Sequence, residues 1–172
     1  MDLLDRLIGH DVWTTRQLLD ICRGLSDEQL DCPIDIGLKT IRLTLRHIIY
    51  NIEAWSDLMA GRTMRKNPPV EQASIAALSE RLDLAAADFA RIACGVRDRG
   101  AWDDKWLDRR GEQQQELTYG GTIAHVITHS MHHRAQLLYM LRILGVENRP
   151  EGDVLSWEHR PDDEESIPKS PA

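Results

Sequence analysis

Cysteine is scarce in this 172-residue chain: there are three, Cys22, Cys32 and Cys94. None forms a CxxC pair and the number is odd, which excludes a disulfide framework and a cysteine-based zinc site. Reduced, mostly buried thiols fit best, with Cys32 in an expected loop the most accessible. No apolar run approaches the ~18 residues that span a bilayer. The opening MDLLDRLIGHD carries acids inside its apolar stretch and reads as a helix start, not a secretion signal. There is no basic stripe, and the net charge is −7, so nucleic acid is not an expected partner. The Gly-rich phosphate loop, the GxSxG elbow and the paired-carboxylate motif are also missing. A cytoplasmic protein with no membrane partner and a small-molecule substrate is expected.

Much of the negative charge is local. Residues 150–172 hold seven acids and two bases, a balance of −5, and end in DDEESIPKSPA. Such a segment buries little, so residues 158–172 are expected to form a disordered acidic tail behind one domain over residues 1–157.

Four stretches carry helical periodicity. The first covers about 2–23, with Leu3, Leu7, Thr14, Leu18, Ile21 and Leu25 on one side and Gly24 as a stop. Ser26 to Gln29 then resembles a capping box. The second covers about 40–60, from Thr40 as N-cap to Gly61. Its Ile41, Leu45, Ile48, Ile52, Trp55 and Met59 follow the 4-3-4-3-4 spacing of a bundle seam. Residues 62–73, with Pro68-Pro69, form a linker. The third covers about 74–94, capped by Ser74, stopped by Gly95 and rich in alanine. The fourth covers about 122–144, from Gly120-Gly121-Thr122 to Gly145. The connection at 96–120, with Trp102 and Trp106, is long for a bundle and shows a weak hairpin pattern. The fold class expected is all-α, a four-helix bundle with a long connection before the last helix.

Four of the seven histidines fall within His125–His133 on the fourth helix. At ~100° per residue, His133 lies near the middle of the buried stripe that Ile123, Val126, Ser130 and Leu137 define. His129 lies at its edge, and His125 and His132 face a flank or solvent. The i, i+4 spacing of His129 and His133 puts two imidazoles one turn apart on one side, where both can reach one ion. The competing reading is a hydrogen-bonded histidine pair; a metal is favoured because it satisfies both buried nitrogens at once. His47 on the second helix sits about 120° off the seam, a flank that only packing between two neighbours would bury. Three neutral imidazoles leave a position open for water or substrate.

The stretch Thr128–Leu137, THSMHHRAQL, closed by Leu141–Val146, resembles the HxxHHRgQ…lr..G signature of the DinB/YfiT-like metalloprotein family. Thr44–Ile48 with Glu53-Ala54-Trp55 is similar to that family's second-helix pattern, and His10–Trp13 to its opening Yn.W, with His10 where tyrosine is common. Ala135 stands in place of the usual glycine. The resemblance covers the chain to about residue 157. It implies an up-down-down-up bundle, a divalent metal held by His47, His129 and His133, and frequent homodimers. Among characterised relatives it implies transferases that use a low-molecular-weight thiol, bacillithiol or mycothiol, and thiol-dependent isomerases. Zinc is the expected ion and nickel the second choice. A metal-dependent hydrolase and a non-catalytic metal-binding stress protein stay open as alternatives.

Lesser candidates are weighed similarly. Trp13 and Trp55 suit a pocket but read more readily as core. His10 suits an acid/base role near the metal, though a packed or exposed histidine is favoured. Arg134 suits a substrate anion, though a salt bridge is favoured. Trp102 and Trp106 suit a lid or, more conservatively, an anchor for their loop.

Overall fold

The structure, a computed structural model, describes residues 1–110 and 114–161. Residues 162–172, most of the acidic stretch expected to form a tail, lie outside the described residues. Four long helices make the bundle: α1 (Leu3–Cys22), α3 (Ile41–Met59), α4 (Ile75–Asp98) and α5 (Tyr119–Ile143). Short helices α2 (Asp27–Leu30) and α6 (Val154–Glu158), a 3-10 turn at Val70–Gln72 and a hairpin complete it. Each long helix starts at a side-chain cap. Asp2, Thr40, Ser74 and Thr118 accept from backbone N–H groups that the helix leaves unpaired.

Side-chain pairs give the helix directions. Arg97, near the end of α4, reaches Asp2 and Asp5 at the start of α1, while Arg16 reaches Asp83, so α1 and α4 are antiparallel. Arg42 at the start of α3 donates to the Ala73 carbonyl before α4, and Arg81 pairs with Glu53 further along, so α3 and α4 run parallel. His47 meets His133 and Trp55 meets His125, so α3 and α5 are antiparallel. The order is up-down-down-up, with α1 and α3 each packed against both α4 and α5.

Parallel α3 and α4 require residues 60–74 to travel back along the bundle. Buried Asp57 holds the start of that crossover. Its carboxylate accepts from Arg62 Nε at 2.9 Å and from the Arg65 backbone and Nε at 3.0 and 2.7 Å. These donors, Arg65 foremost, hold its pKa down at about 2. Arg46 then grips the Pro68 carbonyl, at 2.6 and 3.0 Å.

Two expectations shift. The buried side of α1 is Leu4, Ile8, Val12, Leu18, Leu19 and Cys22, whereas Leu3 is exposed and Leu7 half-buried. The helix buries a broad face because α4, α5 and α6 all lie against it. And α4 does not stop at Gly95. Buried Ala93 and Val96 keep its face on the core through that glycine, and the helix ends before Gly100 at φ +63°. The second-helix seam is buried throughout except at half-exposed Trp55.

The long connection contains a true hairpin, β1 (Lys105–Asp108) paired antiparallel with β2 (Gln115–Thr118), Lys105 opposite Thr118. Trp106 Nε1 donates to Thr122 Oγ1 at 3.1 Å, anchoring the hairpin on α5. At the other end of the chain Trp157 is buried against Gly9, where a Cβ would stand 2.5 Å from its indole. Nearby, His10 Nε2 meets the Gly152 carbonyl at 2.9 Å.

Asp11 and Arg134, both buried, form an ion pair between α1 and α5, and Arg134 also reaches the Asp11 carbonyl at 3.2 Å. Removing one partner strands a buried charge, whereas replacing both with apolar groups does not. Asp11→Ala should therefore cost about 3–5 kcal/mol in chemical denaturation, and Asp11→Leu with Arg134→Met should recover most of that loss.

Candidate metal centre

The antiparallel contact of α3 and α5 sets the site. On α3, residues four apart point the same way, and His47, Asn51 and Trp55 form such a row. On α5, His125, His129 and His133 form the matching row. The wheel angle that leaves His47 off the seam is the angle that turns it toward α5, because α3 lies between α4 and α5.

His47, His129 and His133 each offer one ring nitrogen, and the three nitrogens lie within 4.8 Å of one another. Nε2 of His47 and Nε2 of His129 are 2.9 Å apart, one donating to the other. His47 and His133 have ring centroids 4.6 Å apart, and His129 and His133 4.5 Å, all edge-to-face. At metal–nitrogen distances of about 2.0–2.1 Å, tetrahedral donors stand roughly 3.3 Å apart, so small side-chain shifts, with the shared Nε2 proton moved to Nδ1 of its ring, would seat an ion. No carboxylate or thiol joins this group among the described residues.

All three rings are held neutral. Burial depresses His129 most, to about 4, and neighbouring His133 and His47 add to it. Burial likewise lowers His47, helped by His133, and lowers His133. Neutral imidazole is the form that donates a lone pair, so protons do not compete for these nitrogens at neutral pH.

Gln136 fixes the third ring. Its Oε1 accepts from His133 Nδ1 at 2.8 Å, which leaves Nε2 as that ring's free lone pair. Its Nε2 donates to His132 Nε2 at 2.9 Å. Gly37, at φ +48°, lies so close that a Cβ there would stand 2.2 Å from Gln136 Oε1. The sequence pattern contains Gln136, but only the folded loop shows what holds it.

The remaining candidates separate cleanly. His132 is exposed, on the flank expected. His125 is exposed too, yet its ring is 5.1 Å from both His129 and Trp55, so it extends the cluster instead of facing away. His10 is buried on the Gly152 carbonyl, which supports the packed reading and not an acid/base role. Trp13 is core, and Arg134 is the salt-bridge residue described above. Trp55 packs against the core and is a pocket residue as well. It lines a cavity of about 500 Å³ with Asp108, Arg110, Leu117, Thr122 and His125. Trp102 and Trp106 anchor the connection: Trp102 accepts from Gly120 through its carbonyl at 2.8 Å.

A helical bundle with this crossover brings three histidines from its second and fourth long helices together, a set that could hold a metal ion. The DinB family model matches residues 2–164, and the chain belongs to the DinB family. No curated protein matches it.

The histidines differ in what their loss should do. His129→Ala and His133→Ala should abolish metal retention after gel filtration, while His132→Ala should retain it. Gln136→Ala should keep the ligands but weaken metal affinity roughly 10–100-fold, measured by competition with a chelator. Equal metal loss in the His132 and His133 variants would overturn the assignment.

Proposed function

We propose that the protein binds one divalent ion, zinc before nickel, at His47, His129 and His133, and is a metal-dependent transferase acting on a small thiol. The observation that carries this is the convergence of three neutral imidazole nitrogens within 4.8 Å beside a cavity. An ion in that position would supply the positive charge that acidifies a thiol near neutral pH. The protein's part is to present three lone pairs, to hold His133 through Gln136, and to shield one side with the hairpin.

The nucleophile must then come from outside the chain. Burial pushes the Cys22 thiol up to about 12, and it also raises Cys94. No thiol joins the three histidines among the described residues: Cys22 ends α1, Cys32 lies between α2 and α3, and Cys94 lies on α4. A hydrolase would call for a general base. The two acids that line the cavity, Asp108 and Glu116, are held low by Arg110 and Lys105 respectively, which makes them weak bases.

The test is conjugation of chlorodinitrobenzene or monochlorobimane with bacillithiol, mycothiol and glutathione in parallel, using tag-free protein loaded with zinc. The expected result is about one equivalent of metal by elemental analysis, with metal-dependent turnover of at least one thiol that His133→Ala abolishes. Hydrolysis of an ester or amide without any thiol turnover would establish the hydrolase instead. Bound metal with neither activity would favour the non-catalytic reading.

We also place a second copy of the chain against the bundle, forming a homodimer in the cytoplasm. Support comes from exposed apolar side chains on α1 and α5, namely Leu3, Met131, Tyr139 and Ile143. Light scattering at micromolar concentration should give about twice the chain mass of 19.7 kDa; the monomer mass would refute it.

A further inference from the structure

The cavity beside the histidines has an unused cationic donor. Its walls come from the hairpin on one side and from α3 and α5 on the other. Arg110 follows β1, and its guanidinium carbon lies 4.1 Å from the centroid of the Trp55 ring. Its Nε and Nη2 donate to Asp108, at 3.0 and 2.7 Å, and its backbone N–H donates to the same carboxylate at 3.1 Å. Nη1 donates to no group among the described residues. Stacking and the salt bridge fix the plane of the guanidinium, so this remaining N–H pair is offered in a set direction with little rotamer entropy left to lose.

The surroundings decide which ligand suits that donor. Trp55, Leu117 and the His125 ring provide flat or apolar walls. The formal charges at the rim balance, Arg110 against Asp108 and Lys105 against Glu116. The positive end of α5, capped by Thr118 at the cavity edge, tips the balance toward an anion. Two carboxylates so close would repel a doubly charged phosphate, whereas a single negative charge meets one aimed donor. His125 spans the distance inward: its ring lies 5.1 Å from Trp55 and 5.1 Å from His129. A molecule held at Arg110 that lies along Trp55 and His125 therefore reaches toward the histidine cluster.

We infer that the hairpin cavity is a carboxylate-binding subsite, in which Arg110 Nη1 anchors the carboxylate of a flat, apolar, monoanionic substrate over Trp55. The role as a substrate subsite rests on the metal-centred reading above; the binding itself does not. Arg110 acts here as a specificity-determining residue and takes no part in bond making.

The experiment is calorimetric titration of the full-length, zinc-loaded protein with benzoate and with its neutral counterpart benzamide. Benzoate should bind and benzamide should bind at least about tenfold more weakly, the value of one charge-assisted hydrogen bond. Arg110→Gln should remove that preference, while Arg110→Lys, which keeps the charge without the planar fork, should keep part of it. Equal affinity for benzoate and benzamide, or benzoate binding unchanged in Arg110→Gln, would overturn the proposal. S-methylglutathione, which retains carboxylates but has no free thiol, separates the two carriers. If it displaces benzoate, the subsite takes the thiol's carboxylate; if it does not, the subsite takes that of the electrophile. Metal analysis of the same samples keeps the two readings apart, because protein that takes up no zinc on loading yet still binds benzoate through Arg110 refutes the metal site and upholds the subsite.

Discussion

Parallel packing of α3 and α4 is the constraint on which the rest of the molecule turns. Two consecutive helices that run the same way cannot be joined by a short turn, so residues 60–74 must retrace the bundle. That chain has little apolar side-chain mass of its own, and charge holds it down. Asp57, buried on α3, gathers Arg62 and Arg65, and exposed Arg91 joins them through Asp88. Networks of this kind outperform isolated surface pairs because each ordered side chain serves several contacts. With one flank of α3 committed to α4, the flank bearing His47, Asn51 and Trp55 faces α5. The candidate metal centre is thus a by-product of connectivity as much as of histidine spacing.

That geometry explains what the sequence revealed and what it withheld. His129 and His133 were legible because a single helix carries both, and the wheel needs only a rise and an angle. The burial of His133 and the exposure of His132 follow from the same arithmetic. His47 was readable only through family resemblance, since periodicity places it off the seam and the identity of the neighbouring helix is a tertiary fact. The buried face of α1 is legible only in part: Thr14 and Leu18 lie in the core, but a helix buried on three sides has no single stripe, and Leu4 and Ile8 are as periodic as Leu3 and Leu7. Gly95 looked like a stop because glycine is costly inside a helix by about 1 kcal/mol, a cost that the buried neighbours Ala93 and Val96 outweigh. Arg110 on Trp55 joins residues 55 positions apart, and no local rule foresees such a contact.

The electrostatics of the cluster follow from burial, with no acid joining the three rings among the described residues. A bundle that places three imidazoles together disfavours protonating each of them, through lost hydration and through mutual repulsion. Gln136 adds direction to that, since a neutral amide can orient a ring without contributing charge. The result is a set of rings that resist protonation, in a chain whose buried thiol, Cys22, is kept protonated.

The hairpin stands apart from this economy. Its two strands are four residues each, and its side chains are half-buried or exposed. Trp106 ties it to α5 by one hydrogen bond and packs edge-on to Trp55 at 6.1 Å. It therefore walls the cavity while contributing little to the core. Substitutions along it change what lies opposite Trp55 and His125 without disturbing the helices that present the histidines. The molecule is thus divided into a small wall that can change without loss of the core and a bundle whose packing holds the histidine cluster in place.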